Sequence, residues 1–180
     1  MKEKRKKVLI YGYGNPGRLD DGLGPLFAEE IEKHHPEGVT VDSNYQLAVE
    51  DSAEIAEHDV VVFVDAAVSG TEPFYFERVI PRKHTSFSSH SISADALLAM
   101  AADLFSSRAE AYMLGIRGYE FNGYDEKISA KARKNLDEAL VFMKQVLVNC
   151  DFAKHVSLSE TMSGKDKLLS KTEMRKSYER

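Results

Sequence analysis

Apolar positions along this chain switch repeatedly between a continuous or two-residue period and a helical one. The run 8–13 is apolar and short, as a buried strand is. Leu23, Phe27, Ile31 and His34 then recur at helical spacing, with Pro25 in the first turn and His34-His35-Pro36-Glu37-Gly38 as a stop signal. A short strand over 39–42 and a helix over 48–57 follow. The unbroken apolar run 60–64, closed by Asp65, predicts a strand covered on both faces. Residues 73–80 have strand propensity, but their charges fit an edge position. Ser93 is placed to cap a helix reaching about residue 105, with Leu97, Ala101, Leu104 and Phe105 facing inward. A buried strand over 111–116 precedes a long helix capped by Ser129, whose apolar stripe is Leu136, Leu140, Met143 and Leu147. Strands alternating with helices predict an α/β fold: a twisted, mixed, mostly parallel sheet flanked by helices on both faces, a three-layer sandwich.

The alternation stops near residue 154. Residues 1–154 are expected to form a single α/β domain, and 155–180 a polar tail, mobile or weakly helical, rich in Ser, Lys and Glu. The last 30 residues carry seven basic and five acidic side chains, so the tail opposes the charge of the body. The whole chain is 180 residues long with a net charge of −5, which argues against a nucleic-acid binder that works by phosphate neutralisation. One cysteine, Cys150, excludes an internal disulfide and a thiolate zinc site. The basic stretch 2–7 is followed by too short an apolar run for a signal peptide, and nothing approaches the length of a membrane span. A cytoplasmic location is the expectation.

Chemistry concentrates in Gly14-Asn15-Pro16-Gly17-Arg18-Leu19-Asp20-Asp21-Gly22-Leu23-Gly24-Pro25, a glycine-rich turn with two adjacent carboxylates directly after the first strand. In an open α/β sheet that turn lies at the carboxyl edge, where ligands bind. Two uncompensated charges in one loop imply a cation. Asp65 closes the 60–64 strand at the same edge, and burying it costs several kcal/mol unless it is paired or liganded. His90, in Ser88-Ser89-His90-Ser91, precedes a helix, with His84 as a spare. Asp21, Asp65 and His90 form an O,O,N set suited to a borderline divalent metal such as Ni²⁺ or Zn²⁺. Asp20 could cap the following helix, since acidic residues favour helix N-termini.

Other readings of the same residues fit less well. Gly12-Tyr13-Gly14-Asn15-Pro16-Gly17 satisfies the dinucleotide fingerprint, but Pro16 interrupts it and two carboxylates would oppose a diphosphate. Gly14-Asn15-Pro16-Gly17 resembles a turn of peptidyl-tRNA hydrolases, without the histidine and asparagine that should follow. A phospho-receiver domain, with Asp20 and Asp21 holding Mg²⁺ and Asp65 accepting phosphate, is the alternative from a different functional class. Against it, the acidic pair comes late and the 111–116 strand is followed by Arg117-Gly118 without a lysine.

Taken jointly, three motifs resemble the hydrogenase maturation endopeptidases: Gly14-Asn15 followed by Asp20-Asp21-Gly22-Leu23-Gly24; Val61-Val62-Phe63-Val64-Asp65-Ala66; and Ser89-His90-Ser91. Tyr45-Gln46-Leu47, the stretch Leu114-Gly115-Ile116-Arg117-Gly118-Tyr119-Glu120-Phe121 and the Ser129 helix agree as well, so the resemblance spans about residues 7–150. It implies cleavage of a C-terminal peptide from the nickel-loaded large-subunit precursor of a [NiFe] hydrogenase. Asp21, Asp65 and His90 fall on that family's metal-binding positions, and the nickel would arrive with the substrate. A thiolate-free set should hold nickel less tightly than a cysteine cluster does. Hydrolysis could use the metal as Lewis acid or an aspartate as general base. Asp20 and Gln46 are candidate supporting or substrate contacts.

Overall fold

The computed structural model describes residues 5–83 and 92–156. The long apolar runs become the strands β1 (Val8–Tyr13), β2 (Val39–Asn44), β3 (Val60–Ala67), β4 (Phe74–Val79) and β5 (Glu110–Arg117). The helically spaced segments become α1 (Leu23–Glu32), α2 (Asp51–Ala56), α3 (Ala94–Phe105) and α4 (Ala130–Asn149). The five strands form one sheet in the order β2-β1-β3-β5-β4, parallel except for β4, which runs antiparallel to β5 at the edge. This is the mixed, mostly parallel sheet expected, and the charged 73–80 segment is its edge strand. A phospho-receiver has the order 2-1-3-4-5. Here the last two strands are exchanged and one is reversed, which removes the topological support for that alternative.

Alternate residues on the inner strands β1, β3 and β5 feed two separate cores, as the strand period of two requires. Val8, Ile10, Val62, Val64, Tyr112 and Leu114 pack with Leu23, Phe27 and Ile31 of α1 and Leu136, Leu140, Met143 and Leu147 of α4. Leu9, Tyr11, Val61, Phe63 and Ala111 pack on the other face with Ile55 of α2 and Leu97 and Ala101 of α3. The result is a three-layer α/β sandwich. Tyr11 secures the start of α2 from below: its hydroxyl donates to Asp51 Oδ2 at 2.8 Å, and the same oxygen accepts from the Ala48 amide at 2.8 Å.

Several details differ from expectation. α2 begins at Asp51 rather than near residue 48. β3 runs two residues past Asp65, which therefore lies within the strand. His34 lies beyond the end of α1 and is exposed. Leu104 and Phe105 are 64% and 50% exposed, not inward-facing, because α3 buries a face centred on Leu97 and Ala101 and ends there on Ser106 in the left-handed conformation. Ser93 caps α3 by position, without a side-chain hydrogen bond.

Chain crossing places the functional edge. From β1 the chain passes through α1 to β2 on one side, then through α2 to β3 on the other, so strand order reverses between β1 and β3. The carboxyl ends of those strands form the crevice in which such sheets bind ligands. α1 starts directly over it. A β-carbon on Gly24 would run into the Tyr13 and Val64 carbonyl oxygens, and one on Gly12 into the Gly24 carbonyl. Only bare backbone allows that approach. Gly24→Ala should therefore lower stability by about 3 kcal/mol or more, since rigid backbone must move to admit the methyl group; denaturant titration measures this, and a change under 1 kcal/mol would contradict the packing described.

Candidate functional site

The adjacent carboxylates of the glycine-rich turn have opposite duties. Asp20 is fully buried within a short 3-10 turn, Leu19–Gly22. Its Oδ2 accepts from the amides of Tyr119 (2.8 Å) and Glu120 (2.9 Å) and from the Ser129 hydroxyl (2.8 Å); Oδ1 accepts from the Ser129 amide (2.8 Å). Four donors compensate this charge, so the inference that both acidic groups await a cation is corrected for Asp20. Nor does Asp20 cap α1. It ties the turn after β1 to the loop after β5 and to the start of α4, whose first turn the same Ser129 oxygen caps through the Ala132 amide.

Asp21 is half-buried, and its Oδ2 accepts the Asn15 amide at 3.0 Å. Among the described residues no hydrogen bond reaches its Oδ1. Asp65, 9% exposed, lies on β3 in register with Gly115 of β5. Both aspartates belong to the carboxyl edge at the β1–β3 crossover. Asp21 arrives there through the turn after β1, and Asp65 through the strand beside it.

His90 and His84 lie outside the described residues, as does the tail from residue 157. Among the described residues, no group of three or more His, Cys, Asp or Glu side chains is arranged to hold a metal ion. Of the remaining described histidines, His58 lies between the Glu54 carbonyl and the Thr40 hydroxyl, His34 pairs with the Glu30 carbonyl and the Lys144 ammonium, His155 stands edge-on against Phe142, and His35 is exposed just beyond the end of α1. Cys150 sits at the far end of the 20-residue α4, donating its thiol to the Leu147 carbonyl. A helix of that length spans about 30 Å, which removes Cys150 from the edge where α4 begins. Gln46 is exposed in the loop that follows β2 at the carboxyl edge.

The loop after β5 completes the rim and went unassigned in the reading of single residues. Buried Asn135 of α4 donates from Nδ2 to the Arg117 carbonyl (2.8 Å) and to the Tyr119 hydroxyl (2.9 Å). Two cations lie against the Tyr119 ring, Arg117 at 5.1 Å and Lys131 at 4.2 Å from its centroid. Arg117 also donates to the Ala67 carbonyl at the end of β3 (3.3 Å). Nothing local in the sequence reveals this clamp, since its members lie up to 68 positions apart.

A protein of Methanocaldococcus jannaschii, provisionally named a hydrogenase maturation protease, is 28% identical over 147 residues, covering 76% of this chain and 94% of its own length. The chain resembles the hydrogenase maturation proteases in sequence and shares their fold. The [NiFe] hydrogenase maturation protease HycI of Thermococcus kodakarensis superposes with a TM-score of 0.62 at 23% identity, over 79% of this chain and 93% of that one. The hydrogenase maturating endopeptidase HybD of Escherichia coli gives 0.64 at 17% identity, over 81% and 94%. No family model matches the chain. The resemblance read from the motifs is thus borne out, and with it the three-layer arrangement. No helix among the described residues is long and apolar enough to cross a membrane.

The separate duties of the two acidic neighbours are testable. In Asp20→Asn either orientation of the amide turns its two hydrogens toward a donor. Losing hydrogen bonds to a charged acceptor should cost about 2–4 kcal/mol, lowering the melting temperature by roughly 4–16 °C for a chain of this size. Asp21→Asn should move it by less than about 3 °C. Equal effects by calorimetry would contradict the assignment.

Proposed function

We propose that this chain is an endopeptidase that removes a C-terminal peptide from the nickel-loaded large-subunit precursor of a [NiFe] hydrogenase, with nickel in the substrate as the recognition element. What supports this reading is that the turn carrying Asp21 and the end of β3 carrying Asp65 lie at the same carboxyl edge, at the β1–β3 crossover of a maturation-protease fold, with Asp20 withdrawn into structural work. Asp21 offers an oxygen to a ligand while Asn15 holds the other. Asp65 offers its carboxylate from a strand buried on both sides. His90 supplies the nitrogen of the set in this proposal.

A set of two carboxylates and one imidazole lacks the soft sulfur that would retain nickel against a cysteine cluster. It suits a protein that touches a metal already seated in its substrate and releases it afterwards. The metal would then dock the scissile bond and report that loading is complete. Its chemistry when bound would be to polarise a carbonyl or acidify a water; Asp21 and Asp65 would orient it, or, in the alternative route, one of these two aspartates would take the proton from the attacking water. The work belongs in the cytoplasm, where the precursor is made and loaded.

Co-expression of a [NiFe] hydrogenase large subunit with this chain, followed by intact mass measurement, tests the reading. The wild-type chain should shorten the nickel-loaded precursor and leave the nickel-free one intact. Asp65→Asn should reduce processing by 100-fold or more while the protein stays folded, on the scale of removing an essential proton-transfer group. Full processing by both Asp21→Asn and Asp65→Asn would overturn the proposal.

A further inference from the structure

A tyrosine shares the Asp65 face of the sheet. Tyr75 of β4 is in register with Gly115 of β5, and Gly115 is in register with Asp65 of β3, so the three form one row across the sheet. All three face the side that packs against α3, because Val61 and Phe63 precede Asp65 on that face and Val79 follows Tyr75 on it. Cross-strand partners on one face are the interacting units of a sheet.

Gly115 is the gap in that row. The space a β-carbon would occupy there is filled by Cε1, Cζ and Oη of Tyr75. The tyrosine ring therefore lies across the middle strand instead of standing off the sheet, and its hydroxyl is carried one strand spacing, about 4.8 Å, toward Asp65. Any larger residue at position 115 would push the ring away. Burial, followed by the Glu77 and Asp65 carboxylates, holds the phenol well above its usual range, so at neutral pH it is a hydrogen-bond donor.

We infer that Tyr75 is a positioning residue for the candidate site: laid over Gly115, it directs its phenolic O–H toward Asp65, directly or through one water, and fixes how that carboxylate meets a bound cation. This rests on the proposed role of Asp65. The chemistry is that of a donor behind a ligating carboxylate, an arrangement whose loss weakens metal binding 10–100-fold in general. A bridging water would serve nearly as well as direct contact.

Tyr75→Phe removes one hydroxyl and leaves the ring over Gly115. With the purified full chain, calorimetric titration with Ni²⁺ should show affinity reduced about tenfold in this variant and lost in Asp65→Asn. Melting without metal should show coupling: the double variant should lose at least 2 °C less than the two single losses together, as neighbours in one network do. Unchanged Ni²⁺ affinity in Tyr75→Phe beside a loss in Asp65→Asn overturns the positioning role, and so do additive melting temperatures. Unchanged affinity in Asp65→Asn overturns the metal reading of the site itself, while the melting cycle still decides whether Tyr75 and Asp65 act together.

Discussion

The start of α1 pressed onto the carboxyl ends of β1 and β3 is the constraint from which the rest of this edge follows. Gly12 and Gly24 meet backbone to backbone, with no room for a side chain between helix and sheet. Dense packing of this kind leaves few alternative positions for the turn that joins β1 to α1. That turn carries Asp20 and Asp21, so the helix contact decides where two charges go. One enters the protein and is met by four donors; the other stays at the rim.

Asp20 in turn organises what lies across the crevice. A buried carboxylate is tolerable only with its acceptor sites filled, and here the filling comes from the loop after β5 and the cap of α4. The same carboxylate therefore joins two connections that are about 100 positions apart in sequence. Asn135 and the two cations against the Tyr119 ring hold the rest of the loop. The anchors of this rim, Asp20 and Asn135, are buried, and the carboxylate left toward its surface is Asp21.

Much of this was legible before any coordinates. The 60–64 run announced a central strand through its lack of polar positions, the charges of the 73–80 segment marked an edge, and Ser129 marked the start of α4. The motif set around Asp21 and Asp65 led to the right fold. What was hidden depends on contacts between distant residues. Asp20 and Asp21 look equivalent in sequence, and only the amides of Tyr119, Glu120 and Ser129 separate them. Tyr75 reads as an ordinary edge-strand aromatic until the register sets it opposite a glycine. Leu104 and Phe105 match a helical apolar stripe, yet they fall in the last turn of α3 and stay exposed.

The account depends on Asp21 and Asp65 serving one ligand. Crystals of the full chain soaked in a nickel or zinc salt, with anomalous scattering to locate the ion, test that most directly. A single ion bound by both carboxylates at the β1–β3 edge is the predicted result. An ion held by neither carboxylate, or separate ions on each, would contradict the account.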